Sequence, residues 1–136
     1  MEIVGVGTEI VECPRIGGMI ERHGELFLGR IYTEREIRFC QSRKHAIEHF
    51  AARWAAKEAV FKAIGAGRTH GATWTDVEIR VDSGRSPRVM VGGAAKEIVR
   101  RRRIGEIFIS LAHCRTYATA YAMATSRPEP KPAAEA

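Results

Sequence analysis

The apolar positions of this chain change their period several times, and each change marks an element. Residues 2–8, EIVGVGT, combine small and β-branched side chains and predict a short buried strand. Residues 10–24, IVECPRIGGMIERHG, then take helical spacing. Ile16, Met19 and Ile20 share an inner face, while Arg15 and Arg22 fall on the outer one. Pro14 is tolerated in the first turn of such a helix, and Gly24 is placed to stop it. Thr33 with Glu36 three residues later spells a capping box, which starts a second, short helix over 33–41. The strongest helical stretch runs from about Lys44 to Ile64. It is rich in Ala, carries Phe50, Trp54, Phe61 and Ile64 near helical spacing, and is ended by GAG at 65–67.

Beyond that helix the pattern loosens. RTHGATW at 68–74 has the composition of a loop, and strand-like runs follow at 77–81 and 88–91, joined by the turn-prone DSGRSP. Residues 94–103 predict a further helix, and 105–113 and 116–124 predict two strands split near 114–115. The closing SRPEPKPAAEA has the composition of a disordered end, so a domain over 1–125 and a tail over 126–136 are expected. There is no internal repeat. The order of elements implies an α+β fold, an antiparallel sheet with helices packed on it.

Length and charge narrow the field. At 136 residues the chain suits one domain with a modest core, which leaves room for an oligomer that buries more surface. No long uncharged apolar run reads as a membrane helix. The opening MEIVGVG has neither basic leader nor small-residue cleavage site, so a cytoplasmic protein is expected. Cys13, Cys40 and Cys114 are odd in number and form no CxxC pair. That argues against a disulfide framework and a thiolate zinc site, and predicts buried or half-buried thiols. The net charge of +6, with Asp76 and Asp82 the sole aspartates, calls for an anionic partner without choosing among nucleic acid, lipid, acidic protein and phosphate-rich small molecule.

Candidate chemistry concentrates in FAARWAAKEAVFKAIGAG. On a helix, Glu58 and Lys62 share one face four residues apart, with Trp54 a turn earlier and Arg53 and Lys57 on an adjacent stripe. A carboxylate among cations suits a site that holds a hard metal ion together with phosphates. An ordinary surface Glu–Lys pair fits the same spacing. At the N-terminus, Glu9 follows Gly5 and Gly7 at a strand end, where small residues admit a close backbone or ligand. In ISLAHCRTYATAYAMA, His113 sits at a strand end before a turn, a place that also suits a hydrogen-bonded structural histidine.

Together, GVGTEIVECPRI, RWAAKEAVFKAIG and ISLAHCRTYATAYA resemble the holo-acyl carrier protein synthases, the short 4'-phosphopantetheinyl transferases. RIYTEREIRFC and DVEIRVDSGRSPRV fit in between, and the resemblance covers about Ile3 to Ala124. The WAAKEAxxKAxG stretch is its specific part. The resemblance implies the small α+β fold of that family and a homotrimer with active sites between subunits. It implies transfer of phosphopantetheine from coenzyme A to a serine of acyl carrier protein, releasing 3',5'-ADP, in a Mg²⁺-dependent reaction of fatty acid biosynthesis. By position, Glu9 and Glu58 would be the metal ligands. Arg53, Lys57 and Lys62 would lie near the coenzyme A phosphates, with Lys62 and Glu58 catalytic. Gly65 would let backbone approach the ligand, and His113 would hold the coenzyme at the far side of the cleft. Arg15 and Arg22 would dock the acidic carrier protein.

Those residue types fit that chemistry, which needs alignment and neutralised charge rather than covalent help. Mg²⁺ keeps several waters and takes few protein ligands, so two carboxylates suffice. A metal-bound water or Glu58 itself would take the serine proton. The chain departs from the family in two places. Glu9 stands where Asp is usual, so the backbone compensates, a water intervenes, or metal preference shifts toward Mn²⁺. Ala112 replaces a hydroxyl residue before the histidine, a loss of about 1 kcal/mol.

Two other readings come from short motifs. HAIEH places His45, Glu48 and His49 in the pattern of one zinc metallopeptidase class. The four arginines at 100–103 suggest a nucleic-acid stripe, although no stacking aromatics accompany them. On the family reading the run adds instead to a basic surface facing the carrier protein.

Overall fold

A computed structural model describes residues 1–66, 71–82 and 84–129. Residues 67–70, 83 and 130–136 lie outside the described residues, and with them the end of GAG, the start of the expected loop, part of the 82–87 turn and most of the expected tail. The elements are β1 (Ile3–Glu12), α1 (Cys13–Ile31), α2 (Glu34–Gln41), α3 (Ala46–Ile64), a 3₁₀ turn (Trp74–Asp76), β2 (Val77–Arg80), β3 (Arg88–Val91), α4 (Gly93–Arg101), β4 (Ile104–His113) and β5 (Tyr117–Ser126).

Strands β1, β5 and β4 form an antiparallel sheet with β5 in the centre, and β2 pairs with β3 as a separate hairpin. Alternation sorts the two faces of the larger sheet. Ala118, Ala120, Ala122 and Ala124 of β5 point inward and are buried under α3. Gly5 and Gly7 of β1 lie beside them, paired with Ala124 and Ala122. The small residues let α3 settle onto the strands backbone to backbone. A Cβ on Gly5 would sit 2.1 Å from the Ala63 carbonyl oxygen, and one on Gly7 would sit 2.0 Å from that of Ala59. The buried face of α3 is correspondingly built from Ala51, Ala55, Ala59 and Ala63.

Two boundaries differ from the sequence pattern. β1 continues to Glu12 because its pairing with β5 persists to Glu12 opposite Tyr117, so Ile10 to Glu12, expected to open the helix, belong to the strand. Gly24 does not end α1. It takes a left-handed φ of 52° and kinks the helix, which resumes and buries Phe27, Leu28 and Ile31. The Thr33 capping box forms as the sequence predicts, with Glu36 Oε1 accepting from the Thr33 N–H at 2.8 Å. Cys13 and Cys40 are buried and Cys114 is exposed, contrary to the expectation of three sheltered thiols. Burial pushes the Cys40 thiol up to about 12, mainly through desolvation. Among the described residues no helix is long and apolar enough to cross a membrane.

Candidate active site

The close fit of β1 to α3 sets the spacing of the charged groups. Gly5 lies under Ala63 and Gly7 under Ala59, so two strand residues match one helical turn. The same progression brings Glu9 alongside the turn that bears Glu58. Lys62, one turn beyond Glu58, closes the group: its Nζ donates to Glu9 Oε2 at 3.1 Å and to the Thr8 carbonyl at 3.0 Å. Glu9 Oε1 accepts from the Ile10 N–H at 3.2 Å. Both carboxylate oxygens of Glu9 are thus engaged, one by its own strand and one by Lys62.

Glu58 and Lys62 open onto a cavity of about 770 Å³, whose lining also includes Arg30, Phe61, Gly65, Ala66 and Trp74. Its far wall is the 3₁₀ turn. Asp76 braces that turn by accepting from the Thr73 N–H and hydroxyl, both at 3.1 Å. Trp74 stacks on Trp54 at a 5.6 Å centroid distance and meets the edge of Phe61 at 6.2 Å, which pins the turn against α3. One side of the cavity is therefore aromatic and the other cationic and carboxylic. That combination suits an anionic ligand with an apolar or ring-bearing portion.

Comparisons with known proteins identify the family. Residues 5–124 match the 4'-phosphopantetheinyl transferase superfamily. The chain belongs to that superfamily. It is 48% identical over 121 residues to the holo-[acyl-carrier-protein] synthase of Rhodopirellula baltica, covering 89% of this chain and 96% of that protein. Its fold is similar to that of the synthase from Neisseria meningitidis, with a TM-score of 0.83, 28% identity and coverage of 91% and 99% of the two chains. It is also similar to the Bacillus anthracis synthase solved in complex with coenzyme A (3',5'-ADP), with a TM-score of 0.76, 29% identity and coverage of 93% and 100%.

Within this superfamily frame, the residues singled out from sequence divide into groups. Lys62 pairs with Glu9, and Lys62, Glu58 and Gly65 line the same cavity. Arg15 and Arg22 are exposed on the outer face of α1 as expected, with Arg22 Nη2 3.5 Å from Met19 Sδ. Lys57 and Arg53, expected near the phosphates, do not line this cavity. Lys57 is fully buried and its ammonium is consumed: it pairs with Glu36 Oε1 at 2.7 Å and donates to the Trp74 and Val77 carbonyls. Arg53 is buried over the Phe39 ring at 4.2 Å and donates to the His49 carbonyl at 3.3 Å.

His113 lies elsewhere too. Its Nδ1 is 3.2 Å from Glu48 Oε1, and its ring faces His49 at 5.1 Å. Glu48 and Glu58 are about 15 Å apart along α3 at ~1.5 Å per residue. Within one chain, then, His113 and the carboxylates sit at opposite ends of the helix. The HAIEH residues make no zinc site: Glu48 is shared between His45 and His113, and no three His, Cys, Asp or Glu side chains gather as a metal site among the described residues. Nor do residues 100–103 present four free cations, since Arg100 is held by Glu97 and Arg102 turns to the Ile64 carbonyl.

Sequence reading passed over Arg30, Phe61 and Trp74. Arg30 falls in the part of α1 hidden behind the expected stop at Gly24, and Trp74 falls in the expected loop. The helical phase of Phe61 was legible, but its role in the cavity wall required the 3₁₀ turn opposite.

Proposed function

We propose that this protein transfers 4'-phosphopantetheine from coenzyme A to a serine hydroxyl of apo-acyl carrier protein. The observation that carries this reading is the pairing of Lys62 with Glu9 beside a cavity, large enough for a nucleotide, that Lys62 and Glu58 line, in a chain of this superfamily. The serine oxygen forms a bond to the β-phosphorus, the bridging phosphorus–oxygen bond breaks, and its electron pair leaves with 3',5'-ADP. Lys62 orients the diphosphate and offsets its charge. Glu58 faces the cavity and is placed to receive the serine proton directly or through a water. The donor set of Glu9 and Glu58 fits Mg²⁺, which accepts few protein oxygens, or Mn²⁺. When bound there, the ion supplies Lewis acidity toward phosphate oxygens.

The same reading extends to the remaining roles. The outer sheet face exposes Val6, Ile10, Phe108 and Tyr121, an apolar surface on a small domain. Packing of that face between three copies would make a homotrimer and bring the partner subunit's His113 to a cavity that its own chain holds it away from. Arg15 and Arg22 on α1 would meet the acidic carrier protein. A role in fatty acid biosynthesis in the cytoplasm goes with that partner.

The test is a mass-spectrometric assay of apo-acyl carrier protein incubated with coenzyme A and the purified chain, with Mg²⁺, Mn²⁺ or chelator. A phosphopantetheine adduct that disappears with chelator is expected. No adduct with either metal would sink the reading. In the same assay Arg15→Glu should raise the carrier-protein concentration needed for half-maximal rate far more than that of coenzyme A; equal effects would remove α1 from docking.

A further inference from the structure

The end of α3 poses an electrostatic problem for the cavity beside it. The last carbonyls of a helix point outward and carry about half an elementary negative charge. Ile64 is the final residue of α3, and Gly65 and Ala66 line the cavity. Phosphates lodged near Lys62 therefore face the repulsive end of a long helix. Two of its carbonyls are used locally: Lys62 O accepts from the Gly65 N–H at 3.2 Å, and Phe61 O accepts from the Ala66 N–H at 2.9 Å. The Ile64 carbonyl is taken from a distance, by Nη1 of Arg102.

Arg102 is built into that position. Its guanidinium fills the space over Gly65, where a Cβ would lie 2.0 Å from Nη1. Gly65 also has a left-handed φ of 72°, so both backbone and space require glycine. At the base of the side chain, Arg102 caps α4, and Arg103 follows with a φ of 56°. Such a backbone at a residue with a Cβ persists where the surroundings impose it. Here the Arg103 carbonyl accepts from the Arg127 N–H at 2.8 Å. No carboxylate among the described residues pairs with Arg102, in contrast to Arg100 and its partner Glu97. The positive charge of Arg102 is therefore left for the end of α3 and whatever binds beside it.

We propose that Arg102 is a positioning residue for phosphate binding: by closing the Ile64 carbonyl and cancelling the negative end of α3, it lets the cavity beside Lys62 accept the diphosphate of coenzyme A. This rests on the functional reading above for the identity of the ligand. The role is electrostatic rather than only structural, so charge and hydrogen bonding are separated by two variants. Arg102→Gln retains an amide donor for the carbonyl without the charge, and Arg102→Lys retains the charge.

The experiment is calorimetric titration of wild type and both variants with 3',5'-ADP at low and high salt, with kcat, KM for coenzyme A and Tm alongside. Arg102→Gln should weaken 3',5'-ADP binding and raise KM by about fivefold, the scale of a helix-end charge, with kcat and Tm little changed. Arg102→Lys should restore most of the affinity, and high salt should shrink the difference. Arg102→Gln binding 3',5'-ADP as wild type does would overturn the proposal. Equal losses of Tm and kcat in both variants, without a shift in KM, would also overturn it and leave a structural cap. A wild-type chain that neither binds 3',5'-ADP nor modifies the carrier protein would overturn this proposal together with the functional reading. Wild-type activity with unaltered Arg102→Gln binding removes only this one.

Discussion

Lys57 and Lys62 lie little more than a turn apart on α3, with their ammonium groups in opposite surroundings. Lys62 is half exposed beside Glu9, while Lys57 and Glu36 are both fully shielded from solvent. The same Glu36 accepts from the Thr33 and Ile79 N–H groups at 2.8 and 2.9 Å, so one carboxylate ties α2, α3 and β2 together. Desolvation lowers the affinity of Lys57 for its proton, and Glu36 opposes that effect. Removing one member strands the other in the interior, which costs about 3–5 kcal/mol. Lys57→Met should accordingly lower the unfolding free energy obtained from urea titration by that amount without altering KM for coenzyme A in the folded fraction. A variant that unfolds as wild type does but binds coenzyme A weakly would return Lys57 to the phosphate site. Residue type did not show that this lysine and Arg53 are buried, because sequence spacing gives the angle of a side chain around a helix and not what covers it. Glu58 and Lys62 were legible because their stripe is the one that packing leaves open.

At the scale of elements, helix α3 and strand β1 are one construction. Their alanines and glycines were readable as helix formers and as gaps in a strand, and the capping box at Thr33 and the hairpin of β2 and β3 were equally plain. What sequence could not supply was the register. Gly5 and Gly7 read as room for either a backbone or a ligand, and the structure decides for backbone by filling that room with the carbonyls of Ala63 and Ala59. Gly7→Ala puts a methyl group on a backbone oxygen with no rotamer to relieve it. The variant should lose about 1–3 kcal/mol, or more if the helix cannot shift, and should fall in transfer rate as Glu9 moves away from Glu58. Thermal melting and the adduct assay would register the two effects separately. An unaltered melting temperature would mean that the helix rides on the strand less tightly than the contacts imply.

For the whole molecule, the apolar outer sheet face and the distance between His113 and Glu58 point the same way. Val6, Phe108 and Tyr121 cluster because Val6 pairs with Met123, Met123 with Phe108, and Tyr121 with Thr8 and Ser110. On the proposed assembly, a single Tyr121→Arg should give a monomer in sedimentation velocity and abolish transfer while leaving the monomer folded. A wild-type chain that sediments as one copy and remains active would remove the assembly from the mechanism. The alternation that creates this face is visible in the sequence, but its size depends on three strands lying in register.

The backbone contact between β1 and α3 has a consequence for how such a protein ages over evolutionary time. The gap that spaces Glu9 from Glu58 is bounded by main-chain oxygen on one side and a glycine carbon on the other, with no rotatable bond between. Exchanges elsewhere in the interior have no lever on that spacing and tax stability first. A core can therefore be repacked while the strand and helix backbones that carry Glu9 and Glu58 hold their spacing, like the jaws of a gauge whose frame has been rebuilt around them.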